Sequence, residues 1–341
     1  MGGAVLVFDL DGTLTDSVPN YTRACGEAWR LLAAEGSPVR DDPPTARAVA
    51  GLMGRPTAAI WADLMPGAPE AVRRRGADLA RASFHAELED RGPVLFPGAA
   101  AALGELTDEG HSLHVLSNGS EAYIELVLRR SGLDALVRSA ASALGTGKVA
   151  AAGRLAASSP GQPLVMVGDR AEDVQAGRAH GFALGCAYGY GAEGELEGAH
   201  YLVRRSEDLA AGVRRLLLLA RLQAAIPEVA GRPVLVGITG PDCAGKPALA
   251  GELARFLAAE GQRASVVPAP GETRHCLAGP GEVVLVEGVC LFRPELEGLF
   301  DLTVYVEANM SAAECNPKAR ADIVVDNADW RRPGVKARRS R

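Results

Sequence analysis

Residues 5–17 read Val-Leu-Val-Phe-Asp-Leu-Asp-Gly-Thr-Leu-Thr-Asp-Ser. The run 4–8 is apolar without interruption, as a strand buried on both faces requires, and it delivers Asp9 and Asp11 to its carboxyl end. In open parallel sheets, ligands bind at that edge. Residues two apart in an extended segment share a direction, so both carboxylates can reach one site. Two acids held together repel each other, and something cationic must therefore sit between or beside them. Gly12 permits the tight turn that follows.

Working outward, further apolar runs at 113–116, 164–167, 234–239, 283–286, 302–306 and 322–325 alternate with Ala/Leu-rich stretches of helical period. Unbroken strand-like runs between helices define an α/β protein. Roughly a hundred residues separate the first strand from the next, too many for one crossover helix. The intervening residues 17–92 have a helical period broken at 36–44, 54–56 and 66–69, and are predicted to form an inserted helical cap. A second seam runs from Ile226-Pro227 to Arg232-Pro233, after an amphipathic stretch at 213–225. The expected organisation is a core of 1–16 and 93–220, a cap of 17–92, a second α/β domain of 229–330, and a basic tail at 331–341 read as a solvated terminus.

Composition narrows the function classes. A chain of 341 residues suggests two domains or one large one. Its 48% hydrophobic and 23% charged residues are ordinary values for a globular protein with a full core, which excludes disorder over most of its length. The densest apolar run, Leu216-Leu217-Leu218-Leu219-Ala220, stops at Arg221, far short of the ~18–20 residues of a membrane span. A net charge of −6 argues against non-specific nucleic-acid binding. The N-terminus has no basic segment before its apolar run, so no signal peptide is expected. Six cysteines without a Cys-x-x-Cys pair fit neither a zinc site nor a disulfide scaffold, and a reducing, cytoplasmic location is expected. Of 36 basic Lys and Arg residues only four are lysine: Lys148, Lys246, Lys318 and Lys336. Where arginine is the default cation, a lysine can mark a place that needs a compact ammonium.

Three later segments repeat the pattern of polar residues at a strand end. His114-Val115-Leu116 runs into Ser117-Asn118-Gly119, Lys148 closes Gly145-Thr146-Gly147-Lys148, and Val165-Met166-Val167 leads to Gly168-Asp169-Arg170-Ala171-Glu172-Asp173. Each alone is an ordinary turn, loop or surface lysine. Together they supply carboxylates, a hydroxyl and an ammonium, and oxygen donors at this density suit a hard divalent ion such as Mg²⁺.

In this order, residues 8–17, 116–119, Lys148 and 168–173 resemble the four motifs of haloacid dehalogenase superfamily phosphatases. Residues 165–191, with Tyr188-Gly189-Tyr190-Gly191, look most like the phosphoglycolate phosphatase branch, which also includes nucleotidase-like members. The resemblance spans roughly 4–218 and implies a Rossmann-like parallel sheet carrying a helical cap. It also implies roles. Asp9 is the nucleophile, since a carboxylate is already ionised at neutral pH and needs no base. Mg²⁺ is held by Asp9, the Asp11 main-chain carbonyl and Asp169, with Asp173 supporting it. Lys148, Ser117 and the main chain at Gly12-Thr13 and Asn118-Gly119 bind the phosphoryl oxygens. Asp11 is the general acid, then the base. An acid at Asp11 suits an oxygen leaving group and disfavours dehalogenation. Phosphomutases share the constellation, so hydrolysis and transfer both stay open. Arg55, in Gly54-Arg55-Pro56, falls where the resemblance puts a cap loop facing the site and is a candidate substrate contact; a solvated helix-end arginine is the plainer reading.

The second half holds Gly240-Pro-Asp-Cys-Ala-Gly245-Lys246, a phosphate loop except at its last place, where Pro247 replaces the usual Ser or Thr and offers neither hydroxyl nor N–H. Val284-Leu285-Val286-Glu287-Gly288, Pro294-Glu295-Leu296 and 321–327 resemble the uridine kinase family of nucleoside kinases. Two family parts are missing: Pro268-Ala269-Pro270-Gly271 interrupts the substrate segment, and 309–318 is too short for the arginine-bearing lid. The expectation is a truncated P-loop NTPase-like α/β domain that has lost kinase activity, with Gly240, Gly245, Lys246 and Glu287 as a vestigial nucleotide site. The whole chain is then expected to be a Mg²⁺-dependent phosphatase of a small phosphorylated metabolite, a nucleoside monophosphate or sugar phosphate by association with the second domain. Two alternatives stand beside it: a bifunctional phosphatase and nucleoside kinase, and a phosphatase regulated by nucleotide binding.

Overall fold

The structure, a computed structural model, describes residues 3–39, 42–55, 57–192, 194–268, 278–289, 291–292, 296, 298–307, 318 and 321–338. Pro56, the 269–271 interruption, Pro294-Glu295 and most of the short 309–318 segment lie outside the described residues. The chain divides into two compact units, Met1–Leu209 and Ala210–Arg341.

In the first unit β1 (Val5–Phe8), β2 (Ser112–Ser117), β3 (Ser139–Ser142), β4 (Leu164–Gly168), β5 (Phe182–Cys186) and β6 (Tyr201–Val203) form a sheet in the order β3-β2-β1-β4-β5-β6. Every neighbouring pair is parallel. Val5 and Val7 pack with Leu164, Met166, Ala151 and Ala176 on one face, while Leu6 and Phe8 are wholly buried on the other. This double burial is why the first strand reads as continuous apolar sequence. The sequence missed β3, β5 and β6, whose segments are rich in Ala, Gly and Ser or are only three residues long.

The helices are α1 (Val18–Ala34), α2 (Ala46–Ala50), α3 (Thr57–Leu64), α4 (Glu70–Arg91), α5 (Ala99–Asp108), α6 (Glu121–Ser131), α7 (Lys148–Ser158) and α8 (Ala171–His180). The first four fill the insertion, and its breaks fall between them. They close on their own core of Trp29, Leu32, Val49, Ile60, Trp61 and Leu64, with the two indole rings 6.4 Å apart. The chain enters and leaves the cap side by side. Thr15 bridges Leu95, and Asn20 donates to the Gly92 carbonyl at 3.0 Å.

The second unit contains α9 (Leu209–Ala225), β7 (Val234–Thr239), α10 (Lys246–Ala259), β8 (Ala264–Pro268), β9 (Val283–Gly288), β10 (Leu302–Glu307), β11 (Ile323–Asp326) and β12 (Gly334–Arg338). Its sheet has the order β12-β11-β10-β7-β9-β8, parallel except for β12. Two boundaries differ from the sequence reading. Almost all of α9, expected to finish the core at 220, groups with the second unit, where Arg215 pairs with Glu252 of α10. Part of the basic stretch at 331–341, expected to be solvated, is the strand β12. Its Lys336 meets Glu307 and Asp326 at 2.6 and 3.0 Å, so acids at the ends of β10 and β11 pair with one of the charges of the stretch read as a free tail. Among the described residues no helix is long and apolar enough to cross a membrane.

Candidate active site

Strand register creates the site. Phe8 lies level with Val115 on one side and Val167 on the other, so Asp9, Ser117 and Asp169 leave the sheet at one edge. Gly12, at φ +86°, turns the chain there, and a Cβ on it would stand 2.3 Å from Asp169 Oδ2. Only glycine accommodates both the left-handed backbone and the close carboxylate.

Lys148 opens α7 and reaches into this edge. Its ammonium is 2.7 Å from Asp9 Oδ1 and 2.7 Å from Asp173 Oδ1. All three residues are buried, as is Asp169. Burial by itself would depress the lysine pKa, but the two carboxylates outweigh it and hold the ammonium above its ordinary value. Asp173 is oriented from its other oxygen, which accepts the Arg170 main-chain N–H at 3.1 Å as α8 begins.

Charge at this site is unbalanced. Asp9, Asp169 and Asp173 can bring one oxygen each within 4.8 Å of one another, and Lys148 meets two of them directly while Arg170 acts on Asp169 from farther off. Burial first, and the charge of Asp9 second, push Asp169 up to about 7 and raise Asp173 similarly. Asp169 Oδ2 accepts from the main-chain N–H groups of Tyr190 and Gly191 at 2.7 and 3.2 Å, whereas its buried Oδ1 has no hydrogen-bond partner. A fully buried carboxylate oxygen without a donor, among excess negative charge, fits a hard divalent cation held by oxygen.

Asp11 is held differently. Its Oδ1 accepts from Tyr123 Oη at 2.6 Å and from Ser17 Oγ, with Thr15 Oγ1 at 3.4 Å. Burial is the main cause of a raised pKa at Asp11, which favours the protonated form an acid needs. Burial and the adjacent Asp11 in turn push the Tyr123 phenol up, so it remains a donor.

The other predicted residues are distributed as follows. Ser117 Oγ accepts the Gly119 N–H at 3.0 Å, and Asn118 Nδ2 donates to Glu172 at 2.9 Å. Thr13 is buried, its carbonyl accepting from Tyr188 Oη at 2.8 Å and its own hydroxyl without a partner. Asp9, Asp11, Ser117, Asn118, Gly119, Lys148 and Asp169 line one cavity of about 680 Å³, within the range of small-molecule sites (~300–1,000 Å³). Arg55 lines it from the cap, with its guanidinium paired to Asp63. The sequence reading gave no role to Ser17, Tyr123 and Arg170. Ser17 lay within the first motif, but nothing in the spacing of Tyr123 announced that it reaches Asp11.

Gly240, Gly245 and Lys246 follow β7 in the second unit, and Glu287 stands near the end of the adjacent β9. The Lys246 ammonium donates to the Pro241 carbonyl at 2.7 Å, and Asn327 Nδ2 donates to the Ala244 carbonyl at 2.8 Å.

Comparison with known proteins fits this geometry. A family profile for haloacid dehalogenase-like hydrolases matches residues 4–181. A phosphoglycolate phosphatase (plasmid) of Cupriavidus necator is 33% identical over 240 residues, covering 64% of this chain and 94% of that protein. The tyrosine-protein kinase PtkA of Mycobacterium tuberculosis is 29% identical over 201 residues, covering 55% of this chain and 63% of that protein. A haloacid dehalogenase-like family protein from Streptococcus pneumoniae superposes with a TM-score of 0.50 at 19% identity, over 61% of this chain and 97% of its own. The chain belongs to the haloacid dehalogenase-like hydrolase family. Within that family it is a phosphatase, similar to phosphoglycolate phosphatases.

Proposed function

We propose that the first unit is a Mg²⁺-dependent phosphomonoester hydrolase that works through a phosphorylated Asp9. The observation that carries this reading is the buried set Asp9, Asp169 and Asp173 around one lysine, with an unpartnered Asp169 oxygen, beside a cavity a small phosphorylated metabolite can enter. Asp9, Asp169 and the Asp11 carbonyl would hold the Mg²⁺, which supplies positive charge between an anionic nucleophile and an anionic phosphate. Lys148 fixes the Asp9 carboxylate and adds a cation for the phosphoryl oxygens. The Ser117 hydroxyl, held in place by the Gly119 N–H, and the main chain at Asn118 donate to the same oxygens as charge spreads over them. Asp9 attacks phosphorus while Asp11 protonates the leaving oxygen, and Asp11 then takes a proton from the water that frees Asp9. A nucleoside monophosphate, a sugar phosphate and phosphoglycolate are the substrates to screen. Release of inorganic phosphate, rather than its appearance on an acceptor, separates hydrolysis from transfer.

Because burial and the charge of Asp9 push Asp169 up to about 7, a cation competes with a proton for its oxygens as the pH falls below that value. Turnover is expected to vanish in EDTA and return with Mg²⁺. Mg²⁺ should raise the melting temperature more at pH 8 than at pH 6, and Asp169→Asn should lose that shift. Undiminished phosphatase activity in EDTA would overturn the metal reading.

For the second unit, we infer a phosphate-loop module that no longer transfers phosphoryl groups. The loop lies at the carboxyl end of β7, between strands reached by crossovers to either side, the switch point where parallel sheets bind ligands. Gly245, at φ +84°, would bring a Cβ within 2.8 Å of Asn327 Nδ2. Pro247 removes the metal hydroxyl, and Lys246 is turned onto its own loop. A melting shift of the full chain with millimolar ATP, abolished by Lys246→Ala, is the expected sign of a retained nucleotide site. No shift would leave the module a docking surface, and ATP-dependent phosphorylation of nucleosides would restore the kinase alternative.

A further inference from the structure

We propose that Tyr123 is a positioning residue for proton transfer, holding the Asp11 carboxyl so that Oδ2 rather than Oδ1 serves the leaving oxygen. The inference rests on the roles given above to Asp9 and Asp11. Three hydroxyls lie around Asp11 Oδ1, but the single proton of Thr15 lies nearer the Leu10 carbonyl, at 3.1 against 3.4 Å, which leaves Ser17 and Tyr123 as the donors to Oδ1. A carboxylate oxygen has about two lone pairs in its plane. Oδ1 is therefore saturated by donors from the protein, and a proton to be delivered has its place on Oδ2.

Thr15 and Ser17 belong to the turn that carries Asp11, so local folding places them. Tyr123 comes from α6, 112 positions away, and several features fix it. Its ring stacks on Phe84 of the cap helix α4, with centroids 5.7 Å apart and planes 28° apart. Phe84 is met edge-on by Tyr21 of α1 at 5.4 Å. On the core side Gly119 makes room, since a Cβ there would lie 2.4 Å from Tyr123 Cδ1. The phenol is thus clamped between cap and core with its oxygen on the acid, in the wall of the cavity.

The proton steps balance through one atom. As an Asp9 oxygen bonds to phosphorus and the bond from phosphorus to the leaving oxygen breaks, the proton on Asp11 Oδ2 passes to the departing oxygen, giving the alcohol. When water attacks, its oxygen bonds to phosphorus, the bond to Asp9 breaks, and the water proton returns to Oδ2. Without Tyr123 one of the two donors to Oδ1 is gone and Ser17 alone holds it, so the carboxyl turns more freely about its terminal bond, a soft torsion, and the protonated oxygen loses its aim.

A tyrosine that only fills space would affect all substrates alike, whereas an aimed acid matters most where the leaving oxygen needs a proton. The test compares kcat/KM of the wild type and Tyr123→Phe for p-nitrophenyl phosphate, whose product is stable as an anion, and for an alkyl phosphomonoester such as phosphoglycolate or glycerol phosphate. Tyr123→Phe keeps the stacked ring and removes the donor. The alkyl ester should lose roughly 10-fold or more, a part of the ~10²–10⁴ a general acid supplies, and the aryl ester less than about twofold. The ratio of the two losses does not depend on how much of the variant is folded. Equal losses, or no loss with the alkyl ester, overturn the proposal. If the wild type turns over neither ester, the phosphatase mechanism itself fails, and this inference with it.

Discussion

Asp9→Asn is expected to reduce phosphate release by at least ~10⁴-fold while the fold survives, because the amide cannot displace an alcohol from phosphorus. The side chain keeps its shape at the end of β1, and Lys148 retains Asp173 at 2.7 Å as a partner. The substitution also removes one of three crowded carboxylates, the one whose charge helps raise Asp169 and Asp173. The melting temperature of the metal-free variant should therefore stay level or rise. Acid quenching during turnover should trap a labelled phosphoenzyme in the wild type and none in the variant. Hydrolysis above about one part in a hundred of the wild type, or a label on the variant, would take the nucleophile away from Asp9.

Lys148→Met should be the most damaging substitution to the fold and nearly as damaging to turnover. It leaves Asp9, Asp169 and Asp173 buried together without their ammonium. Breaking a buried pair by removing one partner costs about 3–5 kcal/mol, roughly 10 °C in melting temperature for a unit of this size. The cost must depend on pH, and its sign follows from the carboxyls. Asp169 and Asp173 lie near 7 in the fold against an ordinary 3.8, so between those values the folded chain binds more protons than the unfolded. Their contribution to stability is complete below about pH 4 and is lost as pH rises through about 7. Without the lysine both shift higher. The penalty should be smaller at pH 5, where Asp169 and Asp173 are neutral, and full at pH 8. Denaturant melts in EDTA at the two pH values measure it, and an equal penalty at both would show that Lys148 does not compensate the carboxylates.

Much of the first unit was legible because its chemistry and its burial write the same residues. A strand covered on both faces must be apolar along its length, which made β1, β2 and β4 visible, and each carries a polar cluster directly after it. The cap was legible from helical period and from breaks at Gly and Pro. β3, with Ser139 and Ser142 at its ends, carried no such signal, because an edge strand is only half covered and need not be apolar. The end of the first unit was obscured by α9, whose leucines give the same amphipathic period whichever sheet they serve.

The site divides in the same way. By itself the sequence determined the order of the acids, hydroxyl and lysine and that Asp9, Ser117 and Asp169 stand at strand ends, since those positions are set by local backbone and by burial of each strand. Lys148, expected at a strand end, instead opens α7, and Asp173 lies in the first turn of α8. Only the tertiary structure decided that Lys148 joins Asp9 to Asp173, that one Asp169 oxygen is left without a donor, and that Tyr123 closes on Asp11. Those contacts join residues from 25 to more than a hundred positions apart, where register and helix packing, not local preference, fix which atoms meet.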